Sequence, residues 1–200
     1  MSPGATFERV YLALKEQLGS GRFAPGEHLE PTALALDLNA SITPVRDALH
    51  RLVGEGLAEA PRGDGFRTPV VTEMGLRHLY RWNAVLLTLA TRSRGPRLPD
   101  LADVSQVPGP LCETESLFLQ ISARSGSPEN LAAIARLNDR LRPVRRVELE
   151  LLSNAAGDLG EIAAALKSEA ADKLRRAIAS YHRVRERLAA EIVEALRRRR

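Results

Sequence analysis

Ser41-Ile42-Thr43-Pro44-Val45-Arg46-Asp47-Ala48-Leu49-His50-Arg51-Leu52 decides how this chain is read. Thr43 is suited to cap a helix, and Pro44 to sit in its first turn, where a missing N–H breaks no helical bond. Val45, Ala48, Leu49 and Leu52 recur at i, i+3, i+4 and i+7 and so form one apolar stripe. Thr43, Arg46, Asp47 and His50 hold the opposite face, which is polar and able to hydrogen-bond. Alone, such a helix reads first as the surface helix of any protein. Its neighbours reverse that weighting. A second short helix is expected just before it, Thr32 to Leu38, ended by Asn39. Just after it, Leu57–Ala60 and Phe66–Val70 flank Pro61-Arg62-Gly63-Asp64-Gly65, which predicts a small β-hairpin. Helix, tight turn, helix and glycine-tipped hairpin is the order of a winged helix-turn-helix.

The same region carries a resemblance. Gly21-Arg22-Phe23-Ala24-Pro25-Gly26-Glu27-His28-Leu29, Leu34-Ala35, Ser41-x-Thr43-Pro44-Val45-Arg46-Asp47-Ala48-Leu49, Leu52, Glu55-Gly56-Leu57 and Arg62-Gly63 follow one another in an order and spacing similar to the N-terminal domain of GntR-family bacterial transcription regulators. The resemblance covers roughly residues 6 to 70. The rest of the chain resembles, more loosely, the helical effector domain of that family's FadR-type (FCD) branch.

Composition bounds the alternatives. Two hundred residues suit one or two domains, and an apolar fraction of 44% is enough for packed cores. No apolar run approaches the ~18 residues of a membrane span, and no basic-then-apolar leader opens the chain. Cys112 is the sole cysteine, so no intramolecular disulfide forms and a reducing cytoplasm fits; a plain core thiol is the reading preferred for it. The net charge of +4 is unevenly placed. Residues 1–72 hold seven Lys/Arg against nine Asp/Glu, a net of −2, and residues 73–200 hold 22 against 16, a net of +6. DNA affinity needs cations placed near phosphates, not a positive total. Lys15, Arg22, Arg46, Arg51, Arg62 and Arg67 are the candidates, whereas Arg197–Arg200 reads as a solvated end ahead of a second DNA contact.

Along the chain, Phe7, Val10, Tyr11, Leu14 and Leu18 make a helical stripe ended by Gly19 and Gly21. Thr72 starts a longer helix to about Arg92 and marks the boundary between an N-terminal domain, 1–71, and an all-helical domain, 72–200. Residues 95–110 contain four prolines and two glycines and read as a loop. Further helices are expected from Leu111 to Arg124 and from Ser127-Pro128-Glu129 toward Arg142, with Pro143 ending or kinking the latter. A stretch from Val144 to Leu152 follows. Asp158-x-x-Glu161 then reads as a capping box for Ile162–Lys167. A last regular helix follows Leu174, Ala177, Ile178, Tyr181, Leu188, Ile192 and Leu196, a stripe that means core or dimer interface. The expected fold class is mainly α, a winged domain followed by a helical bundle.

A helix in the major groove reads base edges while phosphate contacts fix its register. In that role Arg46 grips phosphate or guanine, Ser41 and Thr43 contact phosphate near the helix start, and His50 lies on the same face. Thr32 either donates to a phosphate or is an ordinary N-cap. Arg62 and Gly63 suit the minor groove. The resemblance implies an arginine, a main base contact, where this chain has Ile42; isoleucine can still touch a thymine methyl. It also implies a divalent metal held by an acid and three histidines, at positions occupied here by Thr114, Phe118, Leu159 and Tyr181. None of these is a good ligand, so no metal and no other cofactor is expected. His182 falls one residue away, and Glu113 and Glu115 flank Thr114. Asn83 stands where relatives that bind carboxylates carry an arginine. Asn83, Thr114, Phe118, Leu159 and Tyr181 would line a mainly apolar effector pocket, or a filled core that binds nothing.

No nucleophile–base pair, P-loop or dinucleotide fingerprint is present. The reading is a cytoplasmic transcription regulator, a repressor acting as a homodimer on a palindromic double-stranded DNA operator and responsive to a mainly apolar small molecule. Two other classes remain beside it. One is a helical interaction module whose winged domain binds protein, and the other is a small helical enzyme. DNA retardation, retention of a protein partner or turnover would separate the three.

Overall fold

The computed structural model describes residues 3–93 and 113–198. Cys112, the proline-rich stretch and the final two arginines lie outside the described residues. The chain divides into two compact units, one containing Met1–Val71 with the residues from Leu196 on, the other Thr72–Ala195.

The first unit contains α1 (Pro3–Gly19), α2 (Pro31–Asp37) and α3 (Ile42–Gly54). Both α1 and α2 pack on α3. The stripe of α3, Val45, Ala48, Leu49 and Leu52, is fully buried against Val10, Tyr11 and Leu14 of α1 and Leu34 and Ala35 of α2. The turn between α2 and α3 passes through Asn39 in the left-handed region (φ 46°), a conformation that asparagine tolerates better than most residues. Arg9 on α1 holds that turn by donating from Nη1 to Leu38 O (2.9 Å) and from Nη2 to Asn39 O (3.3 Å).

Two start signals differ from expectation. Ser41, not Thr43, occupies the N-cap position of α3, and neither it nor Glu30 before α2 caps with its side chain. Pro44 sits third in the helix, where its N–H would still have been one of the four without an intrahelical partner. The helix therefore starts two residues before the proline-based reading. Pro31 opens α2, so Thr32 is not the N-cap. The expected β-hairpin wing is not formed as strands. Among the described residues there are only isolated antiparallel bridges, His28 with Arg67 and Glu59 with Arg67. Arg67 exchanges backbone bonds with Glu59 (2.8 and 2.9 Å), while Leu29 N–H donates to Phe66 O and Thr68 N–H to Glu27 O. Each run pairs over one residue because it is short and is held from both sides. At the tip, Gly63 (φ 78°) and Gly65 (φ 66°) take left-handed conformations open to glycine.

The second unit contains α4 (Glu73–Arg92), α5 (Glu113–Ala123), α6 (Pro128–Leu151), α7 (Ala155–Lys167), α8 (Ala171–Arg187) and α9 (Ala189–Arg198, whose end groups with the first unit). Thr72 caps α4 by accepting from Gly75 N–H (3.1 Å), and Ser127 caps α6 by accepting from Asn130 N–H (3.2 Å). α4 packs on α5, α6 and α8, and α7 packs on α5 and α8. Their shared core includes Leu87, Phe118, Ile134, Ile162 and Ile178.

Three details depart from the sequence reading, the first in part: Pro143 does not end its helix. α6 runs through Pro143 without ending, because Leu141, Val144 and Val147 on either side are buried and offset the lost backbone bond. α7 starts at Ala155, so Asp158 and Glu161 are no capping box. Asp158 instead accepts from Arg185 Nη1 (3.1 Å). The last helix is two, separated at Leu188.

Leu49→Ala leaves a cavity beneath α3 and is expected to destabilise the first unit by about 2–5 kcal/mol. Urea unfolding followed by far-UV circular dichroism measures this, and an unchanged midpoint would mean that α3 is not held by its underside.

Candidate functional site

With its apolar stripe buried, α3 presents Ser41, Ile42, Thr43, Arg46 and His50 outward, all exposed. Thr32 on α2 and Arg62 and Gly63 on the tip are exposed as well. Ile42 is an apolar side chain 44% exposed at the first position of the helix. His50 packs edge-on against Phe66, with ring centroids 4.9 Å apart, so the outer face of α3 touches the base of the bridged loop.

The cations of this unit fall into two groups. Arg22 pairs with Asp37 (2.5 Å), Arg51 with Glu8 (3.4 Å) and Glu55 (3.3 Å), Arg67 with Glu59 (3.0 Å), and Lys15 lies 3.9 Å from Glu55. Glu55 also accepts from the Tyr11 hydroxyl (2.9 Å), and burial with that bond raises the Tyr11 pKa. Arg46 and Arg62 make no hydrogen bond or ion pair among the described residues. Of the six candidate cations, these two have their guanidinium groups free for an external anion.

The centre of the second unit, expected to be an apolar pocket or a filled core, holds charged groups beside the residues named for it. Phe118, Leu159 and Tyr181 are together in the core. Phe118 meets Tyr181 edge-on (5.4 Å) and His182 face-on (5.8 Å). Thr114 is buried near the Tyr181 hydroxyl, and Asn83 is fully buried against His182. Charged groups surround them. Arg185 lies over the Tyr181 ring, 3.3 Å from its centroid, and donates to Glu148 (2.8 Å), Asp158 (3.1 Å) and Tyr181 O (3.1 Å). Glu148 also accepts from the Tyr80 hydroxyl (2.5 Å). Arg142 grips both oxygens of Glu115 (3.0 and 2.9 Å). Arg145 lies 5.4 Å from the Phe118 ring and donates to Asn138 (2.9 Å). Its Nη1, 3.7 Å from Glu115, has no hydrogen-bond partner.

These surroundings set the titration of each group. Burial, then the negative charge of Glu148, pushes the Tyr181 phenol up to about 12. Burial and the two arginines hold the His182 imidazole down at about 3, despite its bond to Ile178 O. His182 is therefore neutral near pH 7. With Nδ1–H donated to Ile178 O (2.8 Å), its Nε2 is an acceptor; Asn83 Oδ1 lies 3.0 Å from it, and exchanging the amide's O and NH2 would supply the donor. Burial alone would lower Arg185, but Tyr181, Glu148 and Asp158 more than offset it.

A divalent metal does not fit these residues. Both ring nitrogens of His182 are engaged, Glu115 and Glu148 are each neutralised by arginine, and Glu113 is exposed. Among the described residues no group of three His, Cys, Asp or Glu is placed to hold an ion. Nor is any described helix long and apolar enough to cross a membrane.

Comparison with known proteins bears on the first unit. Residues 6–67 match the model of the bacterial regulatory proteins, gntR family. The first unit is thus similar to that family's domain over residues 6–67. The HTH-type transcriptional regulator McbR of Escherichia coli K12 is 33% identical over 126 residues, 62% of this chain and 53% of that protein. The uncharacterized HTH-type transcriptional regulator YdhC of Bacillus subtilis 168 is 31% identical over 88 residues, 44% and 39% of the two chains. The chain thus spans about half or less of these curated relatives. The solved E. coli McbR/YncC structure is similar over 96% of this chain and 99% of that one, with 25% identity and a TM-score of 0.66. A GntR structure from Rhodococcus sp. RHA1 shares the fold over the same fractions, with 19% identity and a TM-score of 0.74.

Two outcomes follow from the buried centre. His182 refuses in the folded state a proton that it accepts when unfolded, so its contribution to stability is complete above about pH 6.5 and is lost as the pH falls toward 3. His182→Gln is expected to flatten unfolding free energy against pH below 6.5 by up to about 1.4 kcal/mol per unit. Identical slopes in urea titrations of variant and parent would rule this out. Elemental analysis after dialysis is expected to find no stoichiometric transition metal, and chelators to leave the melting temperature unchanged. About one metal per chain would show that His182 and its acidic neighbours rearrange to bind one.

Proposed function

We propose that this protein is a sequence-specific DNA-binding transcription regulator of the FadR-type branch, a homodimeric repressor whose second unit receives the controlling signal. One observation carries the DNA-binding reading. Arg46 on the outward face of α3 and Arg62 beside the glycines of the tip are the cations left unpaired, while Lys15, Arg22, Arg51 and Arg67 are tied to carboxylates. A guanidinium on an exposed helix face reads a guanine edge or a phosphate, and one at a glycine tip reaches a groove wall. Ile42, where the family resemblance implies an arginine, replaces a hydrogen-bonding contact with an apolar one, which calls for a different operator. One short recognition helix covers few bases, and a two-fold pair of them doubles the contact on a palindrome.

An effector reaching the buried centre would meet Arg145 Nη1, the Tyr181 hydroxyl and Thr114, and would carry acceptor atoms rather than being mainly apolar. A second reading is a regulator with no small-molecule effector. It is favoured by the charge balance of the centre, where Arg142, Arg145 and Arg185 face Glu115, Glu148 and Asp158.

The test is fluorescence anisotropy with DNA from the region upstream of the protein's own coding sequence. Arg46→Ala is expected to lose about 1–3 kcal/mol of discrimination per half-site, with the fold intact. Unchanged affinity at fixed salt would remove Arg46 from the interface. Arg62→Ala should weaken binding evenly across sequences and flatten the salt dependence; a salt slope equal to the parent's would take the tip off the phosphates.

A further inference from the structure

The aliphatic residues of the α3 stripe, Val45, Ala48, Leu49 and Leu52, are wholly buried, whereas Ile42 at the first position of the same helix keeps 44% of its surface exposed. Arg46 is displaced from it by about 6 Å along the axis and about 40° around it, and is exposed and unpaired. From Asn39 to Arg46 there is no carboxylate, so nothing in this stretch repels a polyanion. Ser41 does not cap with its side chain, and Pro44 has no N–H. The N–H groups of Ile42 and Thr43 meet no acceptor among the described residues. We infer that Ile42 selects the C5-methyl group of a pyrimidine in the major groove, within a base step or two of the base that Arg46 contacts. This assignment rests on the DNA-binding function proposed above and adds the chemical group that the site selects.

Three features favour a methyl group as the target. Recognition helices meet base edges with their N-terminal residues, and Ile42 is the first residue of α3. The two free N–H groups beside it suit a phosphate oxygen, a contact that fixes the end of the helix against the DNA backbone. The second feature is what a hydrocarbon can do at a base edge. Guanine N7 and O6, adenine N7 and N6 and cytosine N4 are all hydrogen-bonding groups, and covering one with isoleucine strips its water and returns no bond. The thymine methyl is the apolar exception. Ile42 therefore gains contact at thymine and penalises the other bases. The third feature is stiffness. A β-branched side chain in a helix keeps one strongly preferred χ1 rotamer, so little freedom is lost when its surface meets the methyl. A cytosine methylated at C5 presents the same group at the same ring atom and is the second source of this chemistry.

The probe is duplex DNA enriched from a randomised library by the full chain, with affinity read by fluorescence anisotropy at fixed salt. Each half-site is expected to hold one thymine whose replacement by uracil, which removes only the methyl, weakens binding about fourfold, or roughly fifteenfold with both half-sites changed. Ile42→Ala should bind the thymine and uracil duplexes alike, with unchanged circular dichroism. Arg46→Ala should keep the thymine-to-uracil ratio on its lower affinity. Changing that thymine–adenine pair to cytosine–guanine should weaken binding, and 5-methylcytosine in place of the cytosine should recover about fourfold. A uracil effect without that recovery keeps thymine and overturns 5-methylcytosine as a source. Equal affinity for thymine and uracil at every position overturns the inference and leaves the DNA-binding reading standing. So does a uracil effect undiminished in Ile42→Ala, because another group then holds the methyl. Enrichment of no sequence at all overturns both.

Discussion

The Arg185–Glu148 pair is the constraint on which the second unit depends. Both side chains are almost wholly buried, and two such charges leave water at a cost of several kcal/mol each unless every lone pair and proton is met. The structure meets them from several directions. Tyr80 of α4 donates to Glu148 of α6, and Arg185 of α8 donates to Glu148 and to Asp158 of α7. These helices are fixed relative to one another by one chain of charge-assisted bonds, and the aliphatic core fills the space around it. Removing a single partner would strand a charge in a low-dielectric interior, whereas a shape-matched apolar replacement of the whole group need not be costly. The network therefore specifies an arrangement more than it stabilises one.

The first unit solves a different problem. Its underside must be apolar to hold α3, and its outer face must remain wet. Most of its cations are consumed in holding the unit together: Arg9 on the carbonyls of the turn, Arg22 on Asp37, Arg51 across α1 and α3, Arg67 across the bridged loop. What is left over defines the face available to a partner. The net charge of the unit, which is negative, is no guide to that face because the pairing removes most of its charges from consideration.

The helices of the first unit were legible because their stripes are regular and interrupted by glycine, proline or asparagine at the right places. The wing was less so. Two short runs around a glycine tip signal a reversal of the chain, but whether they pair over one residue or five depends on what else hydrogen-bonds to Phe66–Thr68, and residues 27–29 do. Of the two outcomes expected at Pro143, an end to the helix does not occur, because flanking burial outweighs one lost backbone bond. The charges of the buried centre were not read from the sequence for a related reason. Arg145 and Glu148 occupy positions that continue the 134–138–141 stripe of α6, and Arg185 continues the 174–178–181 stripe of α8. A charged residue on an apolar stripe was the available signal, and two such helices with opposite charges would have predicted a buried pair. Phe118 and Tyr181 were seen, whereas Arg145 and Arg185, which lie over their rings, were not singled out.

The edge-on contact of His50 with Phe66 has a consequence for how affinity is divided. It joins the exposed face of α3 to the loop that carries Arg62 through a packed ring contact. If both touch DNA as proposed, a shift that seats one also seats the other. Contributions measured at Arg46 and Arg62 would then not sum, and a double-mutant cycle between them would show a coupling energy transmitted through an imidazole and a phenyl ring that need not touch a base.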